Sequence, residues 1–177
     1  MTRGDLINAL TDLGHQLAQR GIQARLYVVG GAVMVLAHDS RDATADIDGD
    51  FYPHDEVIDV ARDVARDRGL PADWLNAAAR GFIPVFRSPE WRPLFTFGTL
   101  DVLAADDRTM LAMKIRASRG RRDEPDIALL LERCQITTAD EAFALYDEYF
   151  PEDPAPARAR VIIEFLLSGS NGARVDR

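Results

Sequence analysis

Cysteine is nearly absent from the chain, whose 177 residues include only Cys134. A single thiol cannot form an intramolecular disulfide, so nothing links the chain to an oxidising compartment. With 47% hydrophobic residues, a chain of this length can bury a core for one domain, or for one domain with a small helical appendage. Cys134 lies in an apolar, helical context, which favours a small buried residue over the alternative of a nucleophile.

Long hydrophobic runs are missing as well. No apolar stretch reaches transmembrane length, and the first residues, Met-Thr-Arg-Gly-Asp-Leu, lack the apolar core of a signal peptide. We therefore expect a cytoplasmic protein with no membrane partner. The net charge of −8 argues against broad, unspecific attraction to nucleic acid and leaves only a local basic patch for such a contact.

Lysine and histidine are scarce. The 21 basic residues comprise 20 arginines and one lysine, Lys114. A lone lysine points to a chemical need, because its compact ammonium suits a phosphate oxygen, although a lysine at the edge of a helix is the alternative. The three histidines, His15, His38 and His54, lack metal-ligand spacing and are interpreted as surface or packing residues. No Walker A sequence is present.

The spacing of apolar residues predicts the order α-β-α-β-α, then a β-hairpin, then further helices. The predicted helices cover 4–20, 32–37, 55–69, 107–118, 125–134, 138–149 and 157–167, and the strands cover 24–29 and 45–52, with a hairpin over 94–103. This order is typical of an α+β or α/β fold with a helical C-terminal half. We expect a core over 1–106, a helical region over 107–167 packed on it, and a disordered tail over 168–177.

A strand that runs directly into Gly30-Gly31 and a short apolar helix is the first candidate for chemistry. Glycine lets the backbone approach a ligand closely, and free N–H groups at a helix start suit phosphate oxygens. The same glycines also serve turns for purely geometric reasons, so this motif alone is weak.

The second candidate is Asp46-Ile47-Asp48. Alternate residues of a strand point to one side, so the two carboxylates project together while Ile47 faces the core. Two such acids repel each other unless a cation lies between them, and Mg²⁺ is held by one or two carboxylates plus substrate phosphates. A solvated strand edge is the alternative. A calcium loop fails, because Phe51 stands where that loop needs glycine and Val57 where it needs glutamate.

Several segments in chain order resemble the polymerase-β-like nucleotidyltransferases, in particular AbiEii-type toxin nucleotidyltransferases and related bacterial domains. They are Gly30-Gly31, Arg41-x-x-Thr44-x-Asp46-Ile47-Asp48, Leu111 to Arg119, and Arg122-Asp123-x-x-Asp126-Ile127. A further segment, Leu70-Pro71-x-Asp73-Trp74-Leu75-Asn76 with Gly81-Phe82-Ile83-Pro84, resembles a subgroup to which no role is assigned. The resemblance covers roughly residues 20–135, and it implies a small mixed β-sheet flanked by helices.

The resemblance also implies a role for each matching residue. The nucleotide triphosphate would be contacted by Gly30, Gly31, Arg41, Thr44 and Lys114, and Mg²⁺ would be held by Asp46 and Asp48. Asp126 would support the site from the next helix, the alternative being a favourable partner for the helix dipole. The family often has serine at the second glycine, and its third metal carboxylate is not obvious in this chain. Asp101 is our candidate for that third ligand.

The resemblance implies an enzyme that moves a nucleoside monophosphate from an NTP to a tRNA or protein acceptor, with Mg²⁺ or alternatively Mn²⁺. It further implies the toxin of a toxin–antitoxin pair, whose partner is a cognate antitoxin. A basic cluster beside the site, consisting of Arg116, Arg119, Arg121 and Arg122, would grip an RNA backbone, with a solvated helix end as the alternative. Two other functions stay open: a nucleotide-binding module without turnover, and a small-molecule nucleotidyltransferase of the antibiotic-modifying kind.

Overall fold

The computed structural model describes residues 1–118 and 120–172, which divide into two compact units. Unit 1 comprises Met1–Phe82 and Trp91–Ala105, and unit 2 comprises Ile83–Glu90 and the described residues from Asp106 onward. Unit 1 contains a mixed sheet with helices, whereas the long elements of unit 2 are all helical. This composition confirms the predicted mixed α/β fold class with a helical C-terminal half.

The five strands of unit 1 form one sheet in the order β3-β2-β1-β5-β4. Their bounds are Ala24–Val29 for β1, Ile47–Tyr52 for β2, Leu75–Asn76 for β3, Trp91–Phe97 for β4 and Leu100–Ala105 for β5. The central strand β1 pairs antiparallel with β2 and parallel with β5. The outer pairs are parallel for β2 with β3 and antiparallel for β4 with β5, so the sheet is mixed.

Three helices accompany this sheet: α1 over Arg3–Gln19, α2 over Gly31–Leu36 and α3 over His54–Arg68. Helix α1 begins with a capping box between Thr2 and Asp5, and its leucines repeat at helical spacing on one fully buried face. Helix α3 buries a stripe of valines in the same way and contacts α1. The apolar faces that the sequence predicts thus form the core of this unit.

The strand β2 begins two residues later than predicted, at Ile47 instead of Ala45. The preceding residues pair elsewhere: Ala43 forms an antiparallel bridge with Thr2, and the Thr44 N–H donates to the carbonyl of Met1 at 2.9 Å. The strand pairs begin with Ile47 opposite Leu75 and Asp48 opposite Val29, so β2 starts only after Asp46. The short strand β3 was not predicted, and β4 starts at Trp91, before the predicted hairpin.

Unit 2 contains four α-helices, α4 over Asp107–Ala117, α5 over Glu124–Arg133, α6 over Ala139–Tyr149 and α7 over Ala157–Gly172, with a short 3₁₀ turn over Gly120–Arg122. Helix α7 continues to Gly172, beyond the predicted end at residue 167, and residues 173–177 of the predicted tail lie outside the described residues. Among the described residues, no helix has the length and apolar character that a membrane crossing requires.

Candidate functional site

Asp46 and Asp48 flank the first residue of β2 in unit 1. Ile47 between them is fully buried, while both aspartates are half-buried, so the alternation that the sequence predicts holds across the start of the strand. Asp48 lies opposite Val29, the last residue of β1. This register brings the Asp48 carboxylate beside the turn that follows β1.

That turn contains Gly30, whose backbone has φ 71° and ψ −143°. Side chains rarely adopt this conformation, so glycine is required there for geometry. A Cβ on Gly30 would stand 3.7 Å from Asp48 Oδ2, which shows how close the carboxylate approaches the turn. Helix α2 begins at the next residue.

Gly31 leaves room for side chains that arrive from the loop before β2. A Cβ at this position would stand 2.7 Å from Thr44 Oγ1 and 3.9 Å from Arg41 Nη1. The absence of a side chain therefore lets a hydroxyl and a guanidinium approach the backbone at the start of α2. The structure thus brings together five of the residues that the sequence singled out, namely Gly30, Gly31, Arg41, Thr44 and Asp48.

The donors suit a divalent cation that also contacts a phosphate. Asp46 and Asp48 offer two carboxylates, while the next acid along the strand, Asp50, faces Arg80 at 3.5 Å. Within the described residues, no group of three or more His, Cys, Asp or Glu side chains could hold a metal by itself. Mg²⁺ commonly binds through one or two carboxylates and completes its shell with water and substrate phosphate oxygens, so the pair fits this cation.

Asp101 lies at the other end of the sheet from this pair. It is exposed on β5 opposite Arg25, whereas Asp48 lies opposite Val29, four residues further along β1. Four residues of strand correspond to about 13 Å. Asp101 instead accepts a hydrogen bond from Thr96 Oγ1 at 2.9 Å. Asp101 therefore lies apart from the site around Asp46 and Asp48.

One residue beside this site was not predicted from the sequence. Asn76, on β3, lies opposite Asp48, and its Nδ2 donates to Asp46 Oδ2 at 3.0 Å. The segment Asp73-Trp74-Leu75-Asn76 resembles a subgroup of the nucleotidyltransferases, but that resemblance implies no role for Asn76. Its proximity to Asp46 depends on long-range strand pairing, which the sequence does not show.

Residues 6–81 match the model of a family described as "nucleotidyl transferase of unknown function". This part of the chain is similar to a nucleotidyltransferase family. The match includes both glycines and both aspartates, and it ends within the 3₁₀ helix Ala78–Phe82. It supports a nucleotidyltransferase-type family for this part of the chain. No curated protein and no solved structure matches the chain.

Lys114 and Asp126 belong to unit 2, outside the matched residues. The Lys114 ammonium on α4 is largely buried, and its Nζ lies 2.8 Å from Asp123 Oδ1 and 2.7 Å from Asp126 Oδ2. Burying an ammonium is costly without such partners, so the two carboxylates account for its position. Asp123 belongs to the segment Arg122-Asp123-x-x-Asp126-Ile127, and the sequence predicts no role for it. The phosphate contact of Lys114 and the supporting role of Asp126 stay predictions from the resemblance.

One arginine of the predicted basic cluster, Arg116, has contacts within unit 2. Arg116 Nε donates to Asp153 Oδ2 at 2.7 Å, and its guanidinium stacks 4.7 Å from the centre of the Phe150 ring. Arg121 and Arg122 are exposed in the 3₁₀ turn, and Arg119 lies outside the described residues.

Cys134, the only thiol, is half-buried, and burial raises its pKa to about 11. A thiol with so high a pKa carries little thiolate near neutrality, which agrees with a packing role.

Proposed function

We propose that unit 1 binds an NTP at the Gly30-Gly31 turn and transfers its nucleoside monophosphate to an acceptor. One observation carries this proposal: a backbone turn, a hydroxyl and a guanidinium converge beside the Asp48 carboxylate. Donors and a positive charge suit a triphosphate, and carboxylates suit the cation that accompanies it. The family match over residues 6–81 supports the same reaction class.

In this proposal each residue has a defined part. Backbone N–H groups at the turn and the Thr44 hydroxyl donate to phosphate oxygens, and the Arg41 guanidinium offsets their charge. Asp46 and Asp48 hold Mg²⁺, with Mn²⁺ as a substitute. The bound cation supplies charge neutralisation on the triphosphate. An acceptor hydroxyl oxygen forms a bond to the α-phosphorus and releases its proton to water. The bond from that phosphorus to the bridging oxygen breaks, and pyrophosphate leaves with the electron pair.

The acceptor and the biological role are proposed from the resemblance alone. It supports a tRNA or protein acceptor, a toxin role with a cognate antitoxin, and phosphate binding by Lys114 with Asp126 behind it. A small-molecule acceptor, as in antibiotic-modifying enzymes, is the competing choice.

A nucleotide-binding module without turnover is the second candidate, and two observations favour it. The described residues contain no cluster of three potential metal ligands, and the predicted third acid, Asp101, lies on the far end of the sheet. A site with two carboxylates still binds a cation–nucleotide complex, so binding would persist while catalysis is weak.

The test is to incubate the protein and Mg²⁺ with each NTP, labelled either on the α-phosphate or on the γ-phosphate. Total tRNA, a protein fraction and an aminoglycoside are offered as separate acceptors. We expect the α-label to enter one acceptor and the γ-label to leave as pyrophosphate. Transfer of the γ-label would indicate a kinase and contradict the proposal. NTP binding without transfer to any acceptor would support the binding module.

A further inference from the structure

The segment from Asp73 to Asn76 is held firmly beside the candidate metal site. Trp74 is fully buried, and its Nε1 donates to the carbonyl of Ala61 on α3 at 2.9 Å. The carbonyl of Trp74 accepts from the Ile47 N–H at 2.7 Å. The segment is therefore fixed both to a helix and to β2, at the residue between the two aspartates.

Asn76 has its side-chain amide fixed at both ends. Oδ1 accepts from the Ala78 N–H at 2.9 Å, while Nδ2 donates to Asp46 Oδ2 at 3.0 Å and to the Asp73 carbonyl at 3.2 Å. A backbone N–H can only donate and a carboxylate or carbonyl can only accept here, so the reversed orientation of the amide would lose all three bonds. The amide N–H₂ therefore faces Asp46.

We propose that Asn76 is a positioning residue that holds the Asp46 carboxylate in the orientation needed to bind the cation with Asp48. The inference rests on the proposed function. Without a cation, two neighbouring carboxylates repel each other, and a side chain at the start of a strand can turn away. The hydrogen bond from Asn76 opposes that rotation. Because the amide is neutral, it orients the carboxylate without replacing the cation.

Hydrogen-bond partners behind metal ligands typically account for about 10–100-fold in metal affinity. We therefore expect Asn76→Ala to weaken Mn²⁺ binding by about this factor. Activity, if measured, should recover at high Mg²⁺ because the ligands themselves remain.

The experiment is a Mn²⁺ titration of the full chain, followed by water proton relaxation, for the wild type and a set of variants. Asn8→Ala is the matched control, since Asn8 is exposed on α1. Ala78→Pro removes the N–H that Asn76 Oδ1 accepts, at the first residue of the 3₁₀ helix, and leaves the amide N–H₂ in place. We expect Asn8→Ala to bind Mn²⁺ as the wild type does. Ala78→Pro loses one anchor of the amide but keeps its hydrogen bond to Asp46, so it should lose much less Mn²⁺ affinity than Asn76→Ala.

A double-mutant cycle with Asp46→Asn makes the inference specific, because Asn76→Ala should have no further effect once the carboxylate is gone. If Asn76→Ala does not fold, Asn76→Ser takes its place, as a serine hydroxyl can still accept from the Ala78 N–H.

Equal losses in Asn76→Ala and Ala78→Pro would mean that Asn76 acts only through the turn, which overturns the inference. Unchanged binding in Asn76→Ala, while Asp48→Asn weakens it, also overturns the inference and leaves the proposed function standing. A wild type that binds no Mn²⁺, or binds it equally after Asp48→Asn, overturns both.

Discussion

At the start of α2, the Thr44 side chain packs against Gly31, which has no side chain. The Thr44 hydroxyl occupies the space that a side chain on residue 31 would need, since a Cβ there would stand only 2.7 Å from Oγ1. Real atoms do not approach so closely, so a larger residue 31 must displace Thr44. The Thr44 hydroxyl is therefore placed at this turn, in the space that a side chain on residue 31 would occupy.

Gly31→Ala should destabilise the protein by about 1–3 kcal/mol, the usual cost of overpacking. In the Thr44→Ala background the cost should nearly vanish, because the remaining Cβ of residue 44 lies at an ordinary 3.5 Å. Urea unfolding of the four proteins measures this coupling.

Gly81→Ala is the matched control for this cycle. A Cβ on Gly81 meets no atom within 4 Å, so the substitution should be neutral or slightly stabilising. Equal costs of Gly31→Ala with and without Thr44 would contradict the proposed fit.

Among the secondary-structure elements, helix α4 is capped at its N-terminus by Asp106. This carboxylate is buried and accepts from the N–H groups of Arg108, Thr109 and Glu90 and from the Thr109 hydroxyl. Burial alone would raise its pKa, but these hydrogen bonds outweigh it and hold the pKa of Asp106 below its ordinary value. The ionised form therefore stabilises the folded state.

Asp106→Asn should cost about 1–3 kcal/mol near neutral pH, because its amide cannot accept from all of these donors. A lowered pKa stabilises fully above the unfolded value of about 3.9, and this contribution is lost as pH falls through the folded pKa. The difference in the free energy of unfolding between wild type and Asp106→Asn should therefore shrink below about pH 4.

Urea unfolding followed by circular dichroism across this pH range measures the difference. If the difference in the free energy of unfolding stays constant or increases as pH falls, the charge of Asp106 is not what stabilises α4.

The elements that could be predicted are those with a long periodic pattern. Helices α1 and α3 follow from the spacing of their leucines and valines, and β1 from its run of strand-favouring residues. Strand β3 has only Leu75 and Asn76, too few for any pattern, and it is defined by its pairing with β2, next to the buried Trp74. Local spacing cannot show such long-range contacts.

The same limit applies to the site. The Gly30-Gly31 turn and the Asp46-Ile47-Asp48 pair each lie within two or three consecutive residues. The chemistry of each motif could therefore be recognised from the sequence. The position of Asp101 depends on the register of β5 against β1, and the partnership of Lys114 with Asp123 depends on how the chain turns after α4. Both contacts join parts of the chain that are separated in sequence. The spacing of residues within one segment does not predict such contacts.

For the whole molecule, the net charge of −8 limits what acceptor the proposed enzyme can use. Unspecific binding to nucleic acid depends on neutralising many phosphates with lysine and arginine. Arg116, one member of the predicted basic cluster, is already paired with Asp153. An RNA acceptor would therefore be recognised through few, local contacts.

The central claim is that Asp46 and Asp48 hold the cation of a nucleotidyl transfer site, and Asp48→Asn tests it most directly. The substitution keeps the size of the side chain and removes one of two repelling charges, so we expect the protein to stay folded. Transfer of the α-labelled nucleotide should fall by about 10³-fold or more, about 4 kcal/mol in transition-state stabilisation.

Asp55→Asn, at a carboxylate whose side chain is 96% exposed, is the matched control and should transfer at the wild-type rate. The measurement is the initial rate of α-label transfer at saturating Mg²⁺ for the three proteins. We expect transfer to be lost in Asp48→Asn and retained in Asp55→Asn. Wild-type rates in a folded Asp48→Asn protein would contradict it.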